Sequence, residues 1–119
     1  MKFEITWTIY FPTKDRDKII DIVYVDILHE RGISIDGIKI ELYEKGGISS
    51  KLTGKTYIEK SSISEGCMAA LQHAQKLGNA WTVGFYSEDE FKHEGFSAGS
   101  NSIRICGIHS VMFNLKLAD

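Results

Sequence analysis

Proline and cysteine are scarce in this chain of 119 residues, which contains one proline and two cysteines. So little proline excludes collagen-like and proline-rich linker classes. Cys67 and Cys106 are far apart, lack the close pairing of a redox or zinc motif, and each lies in an apolar pattern. We therefore expect two buried, reduced thiols, and a disulfide between them is the alternative.

Long apolar runs are also missing from the sequence. The longest, residues 19–28, is interrupted by Asp21 and Asp26 and is far shorter than the roughly 20 residues that span a bilayer. Glu4 lies where a signal peptide would need a continuous apolar segment. We expect a cytoplasmic protein without a membrane partner.

An excess of positive charge is missing too. Fourteen basic and 16 acidic side chains give a net charge of −2, so no broad electropositive field exists to gather phosphates, and nucleic-acid binding is disfavoured. The hydrophobic content of 43% is that of an ordinary globular protein. The length corresponds to a single domain over residues 1–119.

Two hydrophobic periods alternate along the chain. The odd positions from Phe3 to Phe11 are apolar and are separated by mostly polar residues, which predicts a strand with one buried face. Pro12 ends this strand because proline supplies no hydrogen-bond donor to a sheet.

The following segment, residues 14–31, places its apolar side chains three or four positions apart. This spacing predicts a helix that Thr13 caps and Gly32 ends. Residues 19–27 are rich in β-branched side chains, so a strand over residues 19–25 is the alternative.

Alternation resumes after Gly32 and changes phase at Asp36 and Gly37. A bulge centred on Gly37 would keep one apolar face inward, whereas a hairpin turn at Asp36 and Gly37 is the alternative. Residues 46–54 are interpreted as a loop and residues 55–60 as a short strand.

The second half of the chain begins with a capping box, in which Ser62 and Glu65 satisfy free amides at a helix start. The apolar stripe that follows predicts a helix ending at Gly78. Residues 81–86 predict a strand, and residues 95–101 are interpreted as a mobile hairpin tip.

The last segment, residues 103–117, keeps one alternating phase over a length that is unusual for a single flat strand. We predict either a strand bent near Gly107 or two strands.

The predicted elements define an α+β domain, with two helices on one face of a mostly antiparallel sheet of five or six strands. This order resembles the split β-α-β, or ferredoxin-like, arrangement with an added C-terminal strand. That fold hosts many unrelated activities, so the resemblance implies no particular function.

Catalytic motifs are not found. Gly54-Lys55-Thr56 resembles the end of a phosphate-binding loop, but position 49 is Ser49 where that loop needs glycine. No serine lies in a Gly-x-Ser-x-Gly elbow, and neither cysteine has a neighbouring histidine as its base. We expect no cofactor and no catalytic residues.

The histidines offer the main alternative to a non-enzymatic protein. His29 and His73 lie near predicted helix ends, which explains them without a function. A small enzyme or ligand-binding domain would hold its substrate near His93, His109 and Arg104. His93 stands among carboxylates that suit a divalent metal, although solvated acids are the simpler interpretation, and we predict no metal site.

The acidic segment, residues 87–95, holds four carboxylates against one lysine. Its acids adjoin two aromatic residues, Phe91 and Phe96. Protein-recognition surfaces often combine an aromatic anchor with a charged rim, while rings folded back onto the core are the alternative. The predicted partner-binding residues are Glu88, Asp89, Glu90, Phe91, His93, Glu94 and Phe96.

An acidic segment on a compact α/β body of this length resembles the small immunity proteins of bacterial contact-dependent or polymorphic toxin systems. The resemblance implies stoichiometric occlusion, in which the acids meet a basic active-site rim on a cognate toxin domain, often a nuclease. Phe91 or Phe96 would anchor the contact. An oligomerising module that pairs through an exposed C-terminal strand edge is a further alternative.

Overall fold

The amino-terminal strand lies at the centre of the fold. The computed structural model describes residues 1–83 and 87–118. Its main strands are β1 (Lys2–Phe11), β2 (Asp36–Lys45), β3 (Ile48–Glu59), β5 (Thr82–Val83), β6 (Phe96–Ser100) and β8 (Ser110–Leu117). They form one antiparallel sheet in the order β2-β3-β1-β8-β6-β5. A second pair joins β4 (Gly78–Asn79) to β7 (Ser102–Ile103).

Helices cover one face of the sheet. They are α1 (Arg16–Asp21), a π-helical segment (Ile22–Glu30) that continues it, α2 (Ile63–Gln75) and α3 (Glu88–Glu94). The α+β class and the antiparallel sheet are confirmed. The prediction of two helices is wrong, because the acidic segment forms a third α-helix within the described residues.

The β-branched segment after α1 is helical, so the strand alternative is wrong. Asp15 caps α1 in place of the predicted Thr13, because its carboxylate accepts hydrogen bonds from the amides of Asp17 and Lys18. In the π-helical segment an amide bonds to the carbonyl five residues earlier. Ile22 and Ile27, five residues apart, are accordingly both buried.

The core lies between β1 and the helices. Every odd residue of β1 from Phe3 to Phe11 is fully buried, which confirms the predicted inward face. Trp7 donates a hydrogen bond from Nε1 to Oγ1 of Thr56, so its polar edge is satisfied. Beside it, a Cβ on Gly54 would overlap Cγ2 of Ile35, so glycine is required for close packing there.

A β-hairpin of β2 and β3 replaces the loop predicted for residues 46–54. Gly46 and Gly47 form its two-residue turn with φ of 54° and 83°, a conformation that glycine adopts without strain. The strand predicted over residues 55–60 covers only the second half of β3, because serine, threonine and glycine weaken the apolar pattern of the first half. The predicted bulge is confirmed by a register shift between Asp36 and Lys39.

The carboxyl-terminal half differs from the sequence prediction at one further place. The predicted mobile tip is strand β6, in which Phe96, Ala98 and Ser100 alternate inward and pair with β8. The alternative of two strands after residue 102 is confirmed by β7 and β8. Of the strand predicted over residues 81–86, the structure shows β5, and residues 84–86 lie outside the described part.

The C-terminal strand is not a free edge. It lies between β1 and β6, so the predicted pairing of copies through that strand is wrong. Both cysteines are free, but only Cys67 is half-buried and Cys106 is exposed, so the expectation of two buried thiols fails at Cys106. Among the described helices, none has the length and apolar character that crossing a membrane requires.

Candidate functional site

Helix α3 forms because its local sequence matches the requirements of a helix start and a helix end. The hydroxyl of Ser87 accepts a hydrogen bond from the amide of Glu90 at 3.3 Å. Three carboxylates in the first turn, those of Glu88, Asp89 and Glu90, are stabilised by the partial positive charge of the helix N-terminus. Gly95 ends the helix with φ of 78°.

Phe91 attaches α3 to the core. Its ring is 3% exposed and meets the ring of Phe3 edge-on, with centroids 6.1 Å apart. Asn114 on β8 donates hydrogen bonds to the Glu94 carbonyl at 3.3 Å and to Oγ of Ser97 at 2.8 Å. The helix is therefore fixed to the sheet by apolar and polar contacts.

The two aromatic rings of the acidic segment belong to the core, as the alternative interpretation held. Phe96 is 9% exposed and packs against Phe113 with centroids 6.1 Å apart. The expectation that Phe91 or Phe96 inserts into a partner as an anchor is wrong, because both rings are held in the core and do not project from the surface.

The polar predicted residues all lie on the exposed side of α3. Glu88, Asp89, Glu90, His93 and Glu94 are exposed. Within residues 1–83 and 87–118, none of these carboxylates lies within 4.0 Å of a basic nitrogen. Their charge is therefore directed toward solvent. We call these five residues the acidic face.

An apolar groove adjoins the acidic face. It has a volume of about 430 Å³ and lies between α2 and α3, where Phe91 and Phe96 form its floor and Glu88 stands at its rim. Met68, 61% exposed, and Val83, 45% exposed, present apolar surface beside it. The remaining lining residues are Ile63, Ser64, Cys67, Leu71 and Ser87.

The cysteine in the groove is not activated as a nucleophile. Burial raises the pKa of the Cys67 thiol, so the thiol stays protonated and behaves as a small apolar side chain. Sequence reasoning assigned Cys67 and Leu71 to the core stripe of α2 and did not consider Met68. Met68 makes the apolar stripe of α2 wider than one buried helix face requires, and this extra width indicates apolar surface that the core does not cover.

The rival site is not assembled. Arg104 donates hydrogen bonds to Oδ1 of Asn79, and Nδ1 of His109 lies 2.9 Å from Oγ of Ser110. His93 is also far from His109. The α3 helix that carries His93 ends at Gly95, which packs against Leu115. Leu115 and His109 are six residues apart, a separation of about 20 Å in an extended strand. None of five cavities formed by described residues is lined by two of the three rival residues.

Metal ligands are not clustered in the part of the chain that the structure describes. No three histidine, cysteine, aspartate or glutamate side chains there lie close enough to hold an ion. His93 and its neighbouring acids project outward from α3.

The chain matches no protein-family model, no curated protein and no solved structure in comparisons with known proteins. The acidic face and its groove therefore have to be interpreted from their own chemistry.

Proposed function

We propose that this protein binds and inhibits a basic protein partner through the acidic face and the adjoining groove. The observation that carries the proposal is a set of four solvent-directed carboxylates on a helix that Phe91 fixes in the core. A rigid charged surface loses little conformational entropy on binding, and its field attracts a basic partner before contact.

The groove gives this surface an apolar component. Interfaces combine a buried apolar centre with a polar rim. In the proposed complex an apolar side chain of the partner enters the groove over Phe91, while basic side chains around it pair with Glu88, Asp89 and Glu90. The anchor thus comes from the partner and not from this chain.

A toxin domain with a basic active-site rim, such as a nuclease, has the required chemistry. The protein would then act as an immunity protein of the kind its acidic segment resembles, blocking the toxin by stoichiometric occlusion in the cytoplasm of a bacterium.

The body that carries the acidic face is proposed to be a ferredoxin-like variant. Four strands in the order β2-β3-β1-β8, with helical segments after β1 and after β3, support this arrangement. Residues 78–103 then form an insertion that adds α3 and two strands beyond β8.

A growth assay tests the proposed inhibition. The gene immediately upstream is expressed in bacteria with and without this protein, and growth is expected to stop only without it. The purified pair is then titrated by calorimetry. Replacing Glu88, Asp89, Glu90 and Glu94 by lysine is expected to weaken binding at least about a thousandfold, because four attractive pairs become repulsive.

Two further variants test whether the loss of affinity depends on the position of the four acids or only on net charge. The neutral variant E88Q/D89N/E90Q/E94Q removes the charge of the same four side chains and should weaken binding to an intermediate degree. Lysine at the exposed acids Asp17, Asp21, Glu30 and Glu59 changes the net charge equally and should leave the affinity within about threefold. Unchanged affinity in the first lysine variant would remove α3 from the proposed interface.

A further inference from the structure

Strand β2 is a long edge of the sheet. It pairs with β3 on one side, and β2 is an outermost strand in the order of the described sheet. Ile38, Ile40 and Leu42 lie on its helix-covered face, and Leu42 is 70% exposed. Long edges with apolar residues are the places where sheets add further strands.

We propose that two copies of this chain pair through their β2 strands, antiparallel, with Ile40 on the two-fold axis. A two-fold axis perpendicular to the sheet keeps the helices of both copies on the same side, so residues of equal parity meet. Register shifts interrupt β2 on both sides of Lys39–Leu42. This regular stretch is centred close to Ile40.

Charge selects this register. With Ile40 opposite itself, Lys39 of each copy faces Glu41 of the other, which gives two symmetric attractive pairs. Centring the pair on Glu41 places two glutamates opposite each other. Centring it on Leu42 places Lys39 opposite Lys45, and centring it on Lys39 places two lysines opposite each other. The other registers centred within Lys39–Leu42 therefore all contain like-charge contacts.

A second groove, which lies beside β2, supports the same register. It has a volume of about 300 Å³ and is lined by Ile20, Val23, Tyr24, Ile38 and Ile40, together with Arg16. With Ile40 on the axis, Leu42 of the second copy lies opposite Ile38 at the mouth of this groove. Each copy would therefore bury Leu42, which has the largest exposed fraction of the large apolar side chains in the described residues, against the other.

The assembly closes at two copies. Each chain uses β2 once. A two-fold contact joins the same surface of both copies, so it leaves no free β2 edge for a third copy.

Sedimentation of the full chain without any partner protein tests this proposal. Over about 1 μM to about 1 mM the mass is expected to rise toward twice 13.4 kDa. Leu42→Lys should raise the dimer dissociation constant at least about a hundredfold, because two leucines lose apolar burial. Lys39→Glu should raise it at least about tenfold, because both attractive pairs become repulsive.

A charge exchange separates pairing from folding. The double variant K39E/E41K restores opposite charges across the axis, although it also breaks the Lys51–Glu41 pair within each chain. Its dissociation constant should be about fivefold lower than that of K39E. Lys60→Glu, an exposed lysine beyond the far end of β3, is the matched control and should change nothing. A parent chain that stays monomeric at the highest concentration, or a K39E variant that dimerises unchanged, overturns the proposal.

Discussion

Glu4 is a charged side chain that the sheet buries on the face without helices. It is 7% exposed and lies between Lys55 on β3 and Lys116 on β8, at 3.2 Å and 3.4 Å. Burial on its own would raise the pKa of Glu4, but the hydrogen bond from Lys55 and the charge of Lys116 outweigh it. The pKa of Glu4 is therefore below its ordinary value of 4.5.

The lowered pKa predicts a dependence of stability on pH. The unfolded chain binds the proton more readily than the folded chain. Glu4 therefore contributes stability above about pH 4.5, and this contribution is lost as the pH falls through the folded-state pKa. Urea unfolding from about pH 7 to about pH 3 should show the advantage of the parent over Glu4→Gln shrinking at low pH.

A matched control for this experiment is Glu59→Gln, which replaces an exposed glutamate at the end of β3. It should change the free energy of unfolding by less than about 0.5 kcal/mol. A difference between the parent and Glu4→Gln that stays constant across the pH range would show that Glu4 contributes through packing alone.

At the scale of elements, α2 and β1 meet at a glycine. A Cβ on Gly66 would lie 2.6 Å from Cζ of Phe3, so the helix backbone can approach the ring only because the side chain is absent. Phe3 in turn contacts Phe91 of α3. The position of α2 and the attachment of the acidic face thus depend on the same aromatic ring.

The close contact between Gly66 and Phe3 predicts that replacing this helix glycine by alanine lowers the stability of the protein. Alanine in place of glycine usually stabilises a helix by about 1 kcal/mol. Gly66→Ala should instead destabilise the protein by roughly 1–2 kcal/mol, because overpacking the core costs more than the helix gains. Denaturant unfolding of the purified variant measures the change.

Phe3→Leu provides the test of the cause. In the Phe3→Leu variant the aromatic ring is absent. Gly66→Ala should therefore lower the free energy of unfolding by less than it does in the parent, or should raise it. Ser64→Ala, at an exposed position of the same helix, is the control for a change of helix propensity. Stabilisation of the parent by Gly66→Ala would contradict the close approach.

At the scale of the molecule, the two proposed interaction surfaces lie on different parts of the sheet. The acidic face is attached next to β8, whereas the proposed dimer edge is β2, and two strands separate β8 from β2. That separation is about 14 Å at the usual spacing of strands. The two surfaces do not share a residue.

Independent surfaces predict a complex of two copies with two partners. Sedimentation of the saturated complex should give this stoichiometry, and Lys39→Glu should change partner affinity by less than about twofold, since distant sites act additively. The neutral acidic-face variant should in turn dimerise as the parent does. A complex containing one copy and one partner, formed from a dimeric parent, would show that the surfaces are coupled.

The candidate site was predictable in part. Four acids next to one lysine are visible in the sequence, and their exposure follows from the cost of burying unpaired charge. The position of Phe91 was not decided by the sequence, because a ring flanked by acids can face solvent or the core. The groove as a whole could not be predicted, since Met68 of α2, Val83 of β5 and Phe91 of α3 come together only in the tertiary structure.

Local patterns alone determined β1 and the capped start of α2, and they favoured the helix over residues 16–30 and the bulge near Gly37. Each rests on interactions between residues close in the sequence, or on a periodicity that one buried face imposes. Only the tertiary structure decided that residues 48–54 and β6 are strands, that β8 is central and β2 an edge, and that Phe91 of α3 lies in the core. Weakly patterned segments become strands when a neighbour supplies their hydrogen bonds, and such neighbours are distant in the chain.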